Sequence, residues 1–270
     1  MTASASQPFG ELLRTWRQRR RMSQLDLACE ADISTRHLSF VETGRAAPSR
    51  EMVLHLAEQL AVPLRERNAL LVAAGYAPVF PQRSLQDPAL AAARRAVDLV
   101  LKGHEPYPAL AVDRHWTLVA ANGAVAPLLA GADAELLQLP VNVLRLSLHP
   151  RGLSPRIANY AEWRAHLLMR LAQQIDATAD EVLTALHREL REYAPPRGVR
   201  RDPPPGAGDY GGVAVPFQLV AGEGVLSLVS TTTIFGTPLD VTLSELAVES
   251  FFPADAETAE ALRRLAAERA

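Results

Sequence analysis

The stretch "SQLDLACEADISTRHLSFVETGRAAPS", Ser23 to Ser49, decides how the N-terminal part of the chain is read. Its apolar positions Leu27, Ala28, Ala31, Ile33, Leu38 and Val41 recur at spacings that suit two short helices crossing at an abrupt turn near Asp32 and Ile33. Those residues are the expected core. Thr35, Arg36, Ser39 and Phe40 are left outward on the second helix. Ser34 is placed to cap it, because a serine oxygen can accept one of the amides that a helix start leaves unpaired. A first helix that braces a second in this way forms a helix-turn-helix, where positional error would spoil the reading of base edges by the second helix.

Working outward, residues 8–76 read as consecutive short helices with breaks at Ser23, Asp32, Gly44, Pro48, Pro63 and Gly75. "YAPVFPQRSLQDP" carries Pro78, Pro81 and Pro88, cannot continue a helix and reads as a linker, with a helical stretch over 89–103 behind it. "ALAVDRHWTLVAANGA" sets two apolar runs about a polar "DRH", a hairpin signal. "NYAEWRAHLLMRLAQQI" and "ADEVLTALHRELREY" are amphipathic helices, the first with Tyr160, Trp163, Leu167, Leu168 and Leu171 on one broad face. After the Pro/Gly-rich "PPRGVRRDPPPGAGDYGG" the style changes. "VAVPFQLVAGEGVLSLVSTTTIFG" reads as two strands around Gly222, Glu223 and Gly224, and "VTLSELAVESFFP" alternates as a third. "DAETAEALRRLAAERA" closes the chain as a helix with Asp255 as N-cap. This order predicts an α+β sheet with helices on one face.

At 270 residues the chain has ample material for two domains with cores of their own. The formal charge of −2 divides unevenly: residues 1–80 carry 10 Lys/Arg against 8 Asp/Glu, and the remainder 18 against 22. Lys102 is the only lysine, so positive charge is delivered by planar, fork-shaped arginines suited to phosphate. The densest basic run, "RTWRQRRR" from Arg14 to Arg21, reads either as a solvated helix face or as a phosphate contact. The single cysteine, Cys29, excludes a disulfide framework within the chain and any Cys-cluster metal site, and is expected to pack as a small hydrophobe. The sequence shows no signal-peptide pattern and no apolar run near the roughly 18–20 residues needed to span a membrane. A cytoplasmic protein with no membrane partner is expected.

The pattern "SQ…LA…IS…LS…E.GR..PS" resembles the Cro/C1-type helix-turn-helix of the xenobiotic response element regulator family, over about residues 9–76. The resemblance implies that Gln24 touches phosphate, that Thr35, Arg36 and Ser39 face bases with the N-cap Ser34 beside them at the DNA-binding end of the second helix, and that Arg45 contacts the backbone. It also implies a structural pair between Arg17 and Glu42. Arg36 is the candidate for specificity, because a guanidinium can bond both guanine acceptors at once.

The second half contains decoys. "GAGDYGG" holds a formal GxGxxG at Gly206, Gly208 and Gly211, but it follows prolines rather than a strand and precedes a strand rather than a helix. The seven histidines form neither an HExxH nor a pair at helical ligand spacing, and GxSxG is absent. Neither a metal site nor a catalytic residue is expected. The layout of residues 105–252, with "NVLRLSLHPRGLSPRIANYAEWRAHLLMRL" between the early hairpin and the late strands, resembles the MmyB-like ligand-binding domain. This resemblance implies a PAS-like fold around an apolar cavity and a fatty-acid-like ligand. Trp116, Trp163, Leu167, Phe217 and Phe235 suit the lining of such a cavity, and His149, Arg164 and His166 suit a polar end for a carboxylate. The same aromatics serve equally as ordinary core. A PAS-like fold also admits haem or flavin, but Cys29 lies in the first domain, so no flavin–cysteine adduct can form in the second; no cofactor is expected.

The resulting expectation is multidomain: an all-α helix-turn-helix DNA-binding domain over 8–76, a linker and connecting helix over 77–104, and an α+β PAS-like ligand-binding domain over 105–270. It describes a transcription regulator that binds a double-stranded DNA operator and responds to a small apolar ligand. A homodimer is expected because one helix-turn-helix reads too few base pairs to be selective. Two alternatives stand beside it: a DNA-binding regulator whose second domain only dimerises or binds a protein partner, and a lipid or cofactor enzyme that carries a helix-turn-helix.

Overall fold

The computed structural model describes residues 7–196, 214–222, 224–235 and 240–268. The formal GxGxxG at 206–211 lies outside them, as does Glu223 at the tip of the late hairpin. Among the described residues the chain divides into two units, the first made of 7–84 and 240–244, the second of 85–235 and 245–268.

The first unit contains α1 (Phe9–Arg19), α2 (Gln24–Glu30), α3 (Thr35–Glu42), α4 (Arg50–Gln59) and α5 (Leu64–Ala73). Serine oxygens start three of these helices: Ser23, Ser34 and Ser49 accept from the amides of Asp26, His37 and Met52. In α2 the Asp26 carboxylate returns the bond to the Ser23 amide, completing a capping box. Leu13, Leu27, Leu38, Leu56 and Leu71 have no exposed surface and form the centre of this unit. Asp32 takes a left-handed φ of 50° at the turn between α2 and α3, a conformation that short polar side chains tolerate better than bulky ones. At Gly10 an added Cβ would lie 2.3 Å from the Glu42 carbonyl oxygen, so α1 meets the end of α3 at a separation only glycine permits. The proline-rich stretch after α5 is fastened to this unit by Asn68, whose Oδ1 accepts from the amides of Val79 and Phe80 and whose Nδ2 donates to the Phe80 carbonyl.

The second unit begins with α6 (Ala91–Gly103), followed by β1 (Ala109–Val112), β2 (Leu118–Ala121), α7 (Val143–Leu148), α8 (Tyr160–Thr178), α9 (Glu181–Glu192), β3 (Phe217–Ala221) and β4 (Gly224–Ile234). The chain then contributes α10 (Val241–Ser244) to the first unit and returns as β5 (Ala247–Pro253) and α11 (Ala256–Ala267). All five strands form one antiparallel sheet in the order β2-β1-β5-β4-β3. The early hairpin and the late strands are thus joined through β1 and β5, with Leu110 opposite Glu249.

Two expectations are corrected here. Helices cover both faces of the sheet: Ala109, Ala111 and Val248 pack with Val97 and Leu101 of α6, whereas Val112, Leu219 and Leu228 pack with residues of α7, α8 and α9. "VTLSELAVESFFP" is also not a single strand. Asp240 Oδ1 accepts from the Thr242 amide and its carbonyl accepts from Ser244, so a helical turn forms first and the strand begins only at Ala247. Asp255 caps α11 by accepting from the Thr258 amide, as its position predicts. Among the described residues no helix is long and apolar enough to cross a membrane.

Candidate functional site

The exposed end of α3 is held from behind by a buried ion pair. Arg17 of α1 donates from Nε to Glu42 Oε1 at 2.6 Å and from Nη2 to Oε2 at 2.9 Å, while its Nη1 donates to the Met22 carbonyl. Gln24 Nε2 adds a third bond to Glu42 at 2.7 Å. Burial pushes the Glu42 carboxyl up, but the hydrogen bonds from Arg17 and Gln24 and the charges of Arg17 and Arg14 outweigh it and leave the group below its ordinary value. The hydrogen bond to Glu42 correspondingly raises Arg17. Glu42 is therefore a charged anchor that ties α1 and the start of α2 to the end of α3.

On the outer side Ser34, Thr35 and Arg36 are exposed and Ser39 is half-buried. Ser34 Oγ accepts from the His37 amide at 3.1 Å, which spends its acceptor on the cap and leaves its proton to donate. Arg36 and Arg45 both lie over the ring of Phe40, at 5.3 and 5.9 Å from its centroid. Neither guanidinium has a hydrogen bond or ion pair to a described residue. Phe40 thus pre-orients two free cations, a role for which its sequence position gave only exposure as a signal. Gln24 is placed differently from the others: one N–H of its amide is committed to Glu42, leaving the second N–H and the amide oxygen available.

The dense basic run is largely absorbed by the fold. Arg17 is paired with Glu42, Arg14 lies 3.5 Å from it, and Arg20 donates to the carbonyls of Leu60 and Ala61 at the end of α4. Cys29 is exposed rather than packed. Helix α2 turns Leu27 and Ala28 inward and Cys29 falls on the following, outward position.

In the second unit a cavity of about 100 Å³ lies between the sheet and α8. Trp163, Leu167 and Arg170 reach it from α8 at helical spacing, Phe217, Leu228, Glu249 and Phe251 from the strands, and Val143 and Ser147 from α7. Trp116 reaches it from the β1–β2 turn. Its backbone adopts a left-handed φ of 64°, its indole N–H donates to Gln174 Oε1 at 2.8 Å, and Gln174 in turn donates to the Arg114 carbonyl. The turn is tied further by Asp113, which accepts from the amides of His115 and Thr117.

The structure thus brings Trp116, Trp163, Leu167 and Phe217 together at the cavity. Phe235 lies elsewhere, packed with Leu85 against the cluster under α6. His149, Arg164 and His166 do not line the cavity. His149 Nδ1 accepts from the Arg151 amide and its ring meets Tyr193 edge-on. Arg164 Nη2 donates to the Arg191 carbonyl near the end of α9. His166 stacks on Trp163, and burial, reinforced by the charge of Arg170, holds it below its ordinary pKa.

The polar side chains that do line the cavity are Ser147, Arg170 and Glu249. Ser147 Oγ accepts from Trp163 Nε1 at 3.0 Å. Arg170 donates to Glu249 Oε1 at 2.8 Å and Oε2 at 3.3 Å, and Thr232 bridges them, accepting from Arg170 and donating to Glu249. In sequence Arg170 looks like one more polar residue of an amphipathic helix. The available signal was Glu249, which falls on the inward phase of β5 with Ala247 and Phe251. Among the described residues no group of three or more His, Cys, Asp or Glu side chains is placed to hold a metal ion.

Comparison with known families gives two matches. A family model described as MmyB-like transcription regulator ligand binding domain matches residues 93–265, and one described as helix-turn-helix domain matches residues 8–70. No curated protein matches the chain.

Proposed function

The chain belongs to the MmyB-like transcription regulators, with a helix-turn-helix before the ligand-binding domain, and from that premise we propose that α3 reads an operator while the cavity senses an acyl, fatty-acid-like molecule. At the coarser level it is a DNA-binding transcription regulator with a ligand-sensing domain. The observation that carries the finer reading is the cavity itself, walled by Trp116, Trp163, Leu167, Phe217 and Phe251. The strand order 2-1-5-4-3 with helices packed against the sheet supports the PAS-like reading of this domain.

Arg36 and Arg45, held on Phe40, support base and backbone contact respectively, with Ser34, Thr35 and Ser39 beside them. Dimerisation is part of the proposal because selective binding needs two half-sites. Residence in the cytoplasm and the absence of catalysis follow from the same reading. An apolar cavity of roughly 150 Å³ takes up a ring the size of benzene. The present cavity therefore suits a short chain as it stands, and a longer one displaces side chains.

The test titrates fatty acids and their methyl esters of increasing length against tryptophan fluorescence and, in parallel, against affinity for an operator obtained by selection from random duplexes. Trp163→Ala serves as the control. Binding that changes operator affinity supports the whole proposal, since a ligand shifts an equilibrium only by its unequal affinity for the two states. Binding without effect on DNA leaves a pocket and removes the sensor. No binding at all leaves the second domain to dimerisation or a protein partner.

A further inference from the structure

The charged group that a fatty acid would seek in the cavity is already neutralised. Arg170 is the only cation in its lining among the described residues, and both Glu249 oxygens are on it, at 2.8 and 3.3 Å. Glu249 is 4% exposed and Arg170 is half-buried, so water screens a third charge beside Glu249 only weakly. A carboxylate entering this space adds a net negative charge beside Glu249 and loses its own hydration. It could claim Arg170 only by displacing Glu249, whose other partner, Thr232, is fixed opposite it in β4.

The unused hydrogen-bonding capacity points the other way. Ser147 accepts from Trp163 and donates to no described residue, so its proton is available to the cavity. Arg170 uses Nη1 and Nη2 on Glu249 and Thr232, and its Nε–H is bound to no described residue. Its guanidinium also lies 5.0 Å from the centre of the Trp116 ring, which fixes it without consuming a donor. The cavity therefore offers donors, no free charge and an apolar wall.

We infer that the ligand is an uncharged amphiphile whose head is a hydrogen-bond acceptor, such as an ester, ketone or lactone, and that the Arg170–Glu249 pair excludes the corresponding free acid. This rests on the cavity being the ligand site and narrows the head group within it. A net-neutral ion pair acts here as a filter on charge: an uncharged acceptor can take the free donors without disturbing it, whereas an anion either competes with Glu249 for Arg170 or adds an uncompensated charge beside it.

The experiment compares methyl octanoate with octanoate on the full-length protein at pH 7.5, reading tryptophan fluorescence and calorimetry. The ester is expected to bind at least about tenfold more tightly than the acid. In Glu249→Gln, which leaves Arg170 unneutralised, the acid should gain about tenfold while the ester changes little. Should that variant not fold, a pH series on the wild type replaces it: octanoate affinity should rise as the solution enters the carboxyl range and ester affinity should stay flat. Equal or tighter binding of octanoate at pH 7.5 overturns the charge filter and leaves the cavity as the ligand site. Failure of both molecules to bind overturns the filter and the ligand site together.

Discussion

Arg36 and Glu42 lie on the same short helix and do opposite work. Arg36 is exposed, lies over Phe40, and has no hydrogen-bond partner among the described residues, so on the proposed reading its removal spares the fold and deletes a base contact. Arg36→Ala should lose roughly 1–3 kcal/mol of discrimination at one base position while keeping weak, salt-sensitive binding through backbone contacts. A competition shift assay in which mutant and wild type are equally selective would remove Arg36 from the readout. Glu42 is 3% exposed and holds Arg17 and Gln24. Glu42→Ala strands a buried guanidinium and should cost about 3–5 kcal/mol, seen as faster hydrogen exchange in α1 and α3. Because the folded carboxyl titrates below its ordinary value, its stabilisation is complete above the unfolded value of about 4.3 and is lost as pH falls through the folded one. Glu42→Gln should therefore flatten the acid limb of the stability profile, and an unchanged limb would show that other carboxylates govern it.

At the level of elements, Asp180 shows how one residue joins two. Its Oδ1 accepts from the amides of Val182 and Leu183 at the start of α9, and its Oδ2 meets His115 at 2.9 Å and Arg114 at 3.2 Å in the turn that carries Trp116. Asp180→Asn keeps a good cap and loses only a partly exposed ion pair, so it should cost less than about 1 kcal/mol. Asp180→Ala loses the cap as well and should cost about 1 kcal/mol more; equal losses in thermal denaturation would mean that the cap contributes nothing. Elements of this kind were legible where the signal is local. The serine starts of α2 and α3, the "DRH" turn and the Tyr160–Leu171 face of α8 all follow from spacing and side-chain type. What depends on partners distant in sequence was hidden. The β1–β5 pairing joins residues far apart in the chain, and it is this pairing that makes the sheet continuous and covers it on both faces. Asp240 reset the start of β5 because a capping carboxylate outcompeted an alternating pattern that extended through Val241 and Leu243. The polar residues expected at the cavity were chosen for the chemistry of a carboxylate, whereas Arg170 and Glu249 become visible only when α8 and β5 are brought together.

Across the whole molecule, the path of the chain supplies a physical link from cavity to DNA-reading unit. Leu228 of β4 and Glu249 and Phe251 of β5 line the cavity, and the connection between these two strands includes α10, which belongs to the first unit. There the Val241 amide donates to the Pro81 carbonyl at 2.9 Å, Thr242 Oγ1 donates to the Arg83 carbonyl at 2.6 Å, and Arg83 Nη1 meets Asp240 Oδ2 at 3.1 Å. A shift of β5 on ligand binding would be felt at α10, because only residues 245 and 246 separate the two elements and α10 is hydrogen-bonded into the first unit. Asp240 is the vulnerable point, since it both starts α10 and pairs with Arg83. Asp240→Ala should leave ligand affinity and ligand-free operator affinity within about threefold of wild type while reducing the factor by which one ligand changes the other, which for coupled sites is typically about 5–150-fold, toward unity. Linkage requires the same loss in both directions, so operator DNA should also cease to alter ligand affinity in the variant. If coupling persists at its wild-type value in both titrations, the signal does not pass through the β4–β5 connection, and the covalent link through 77–90 is the route that remains within one chain.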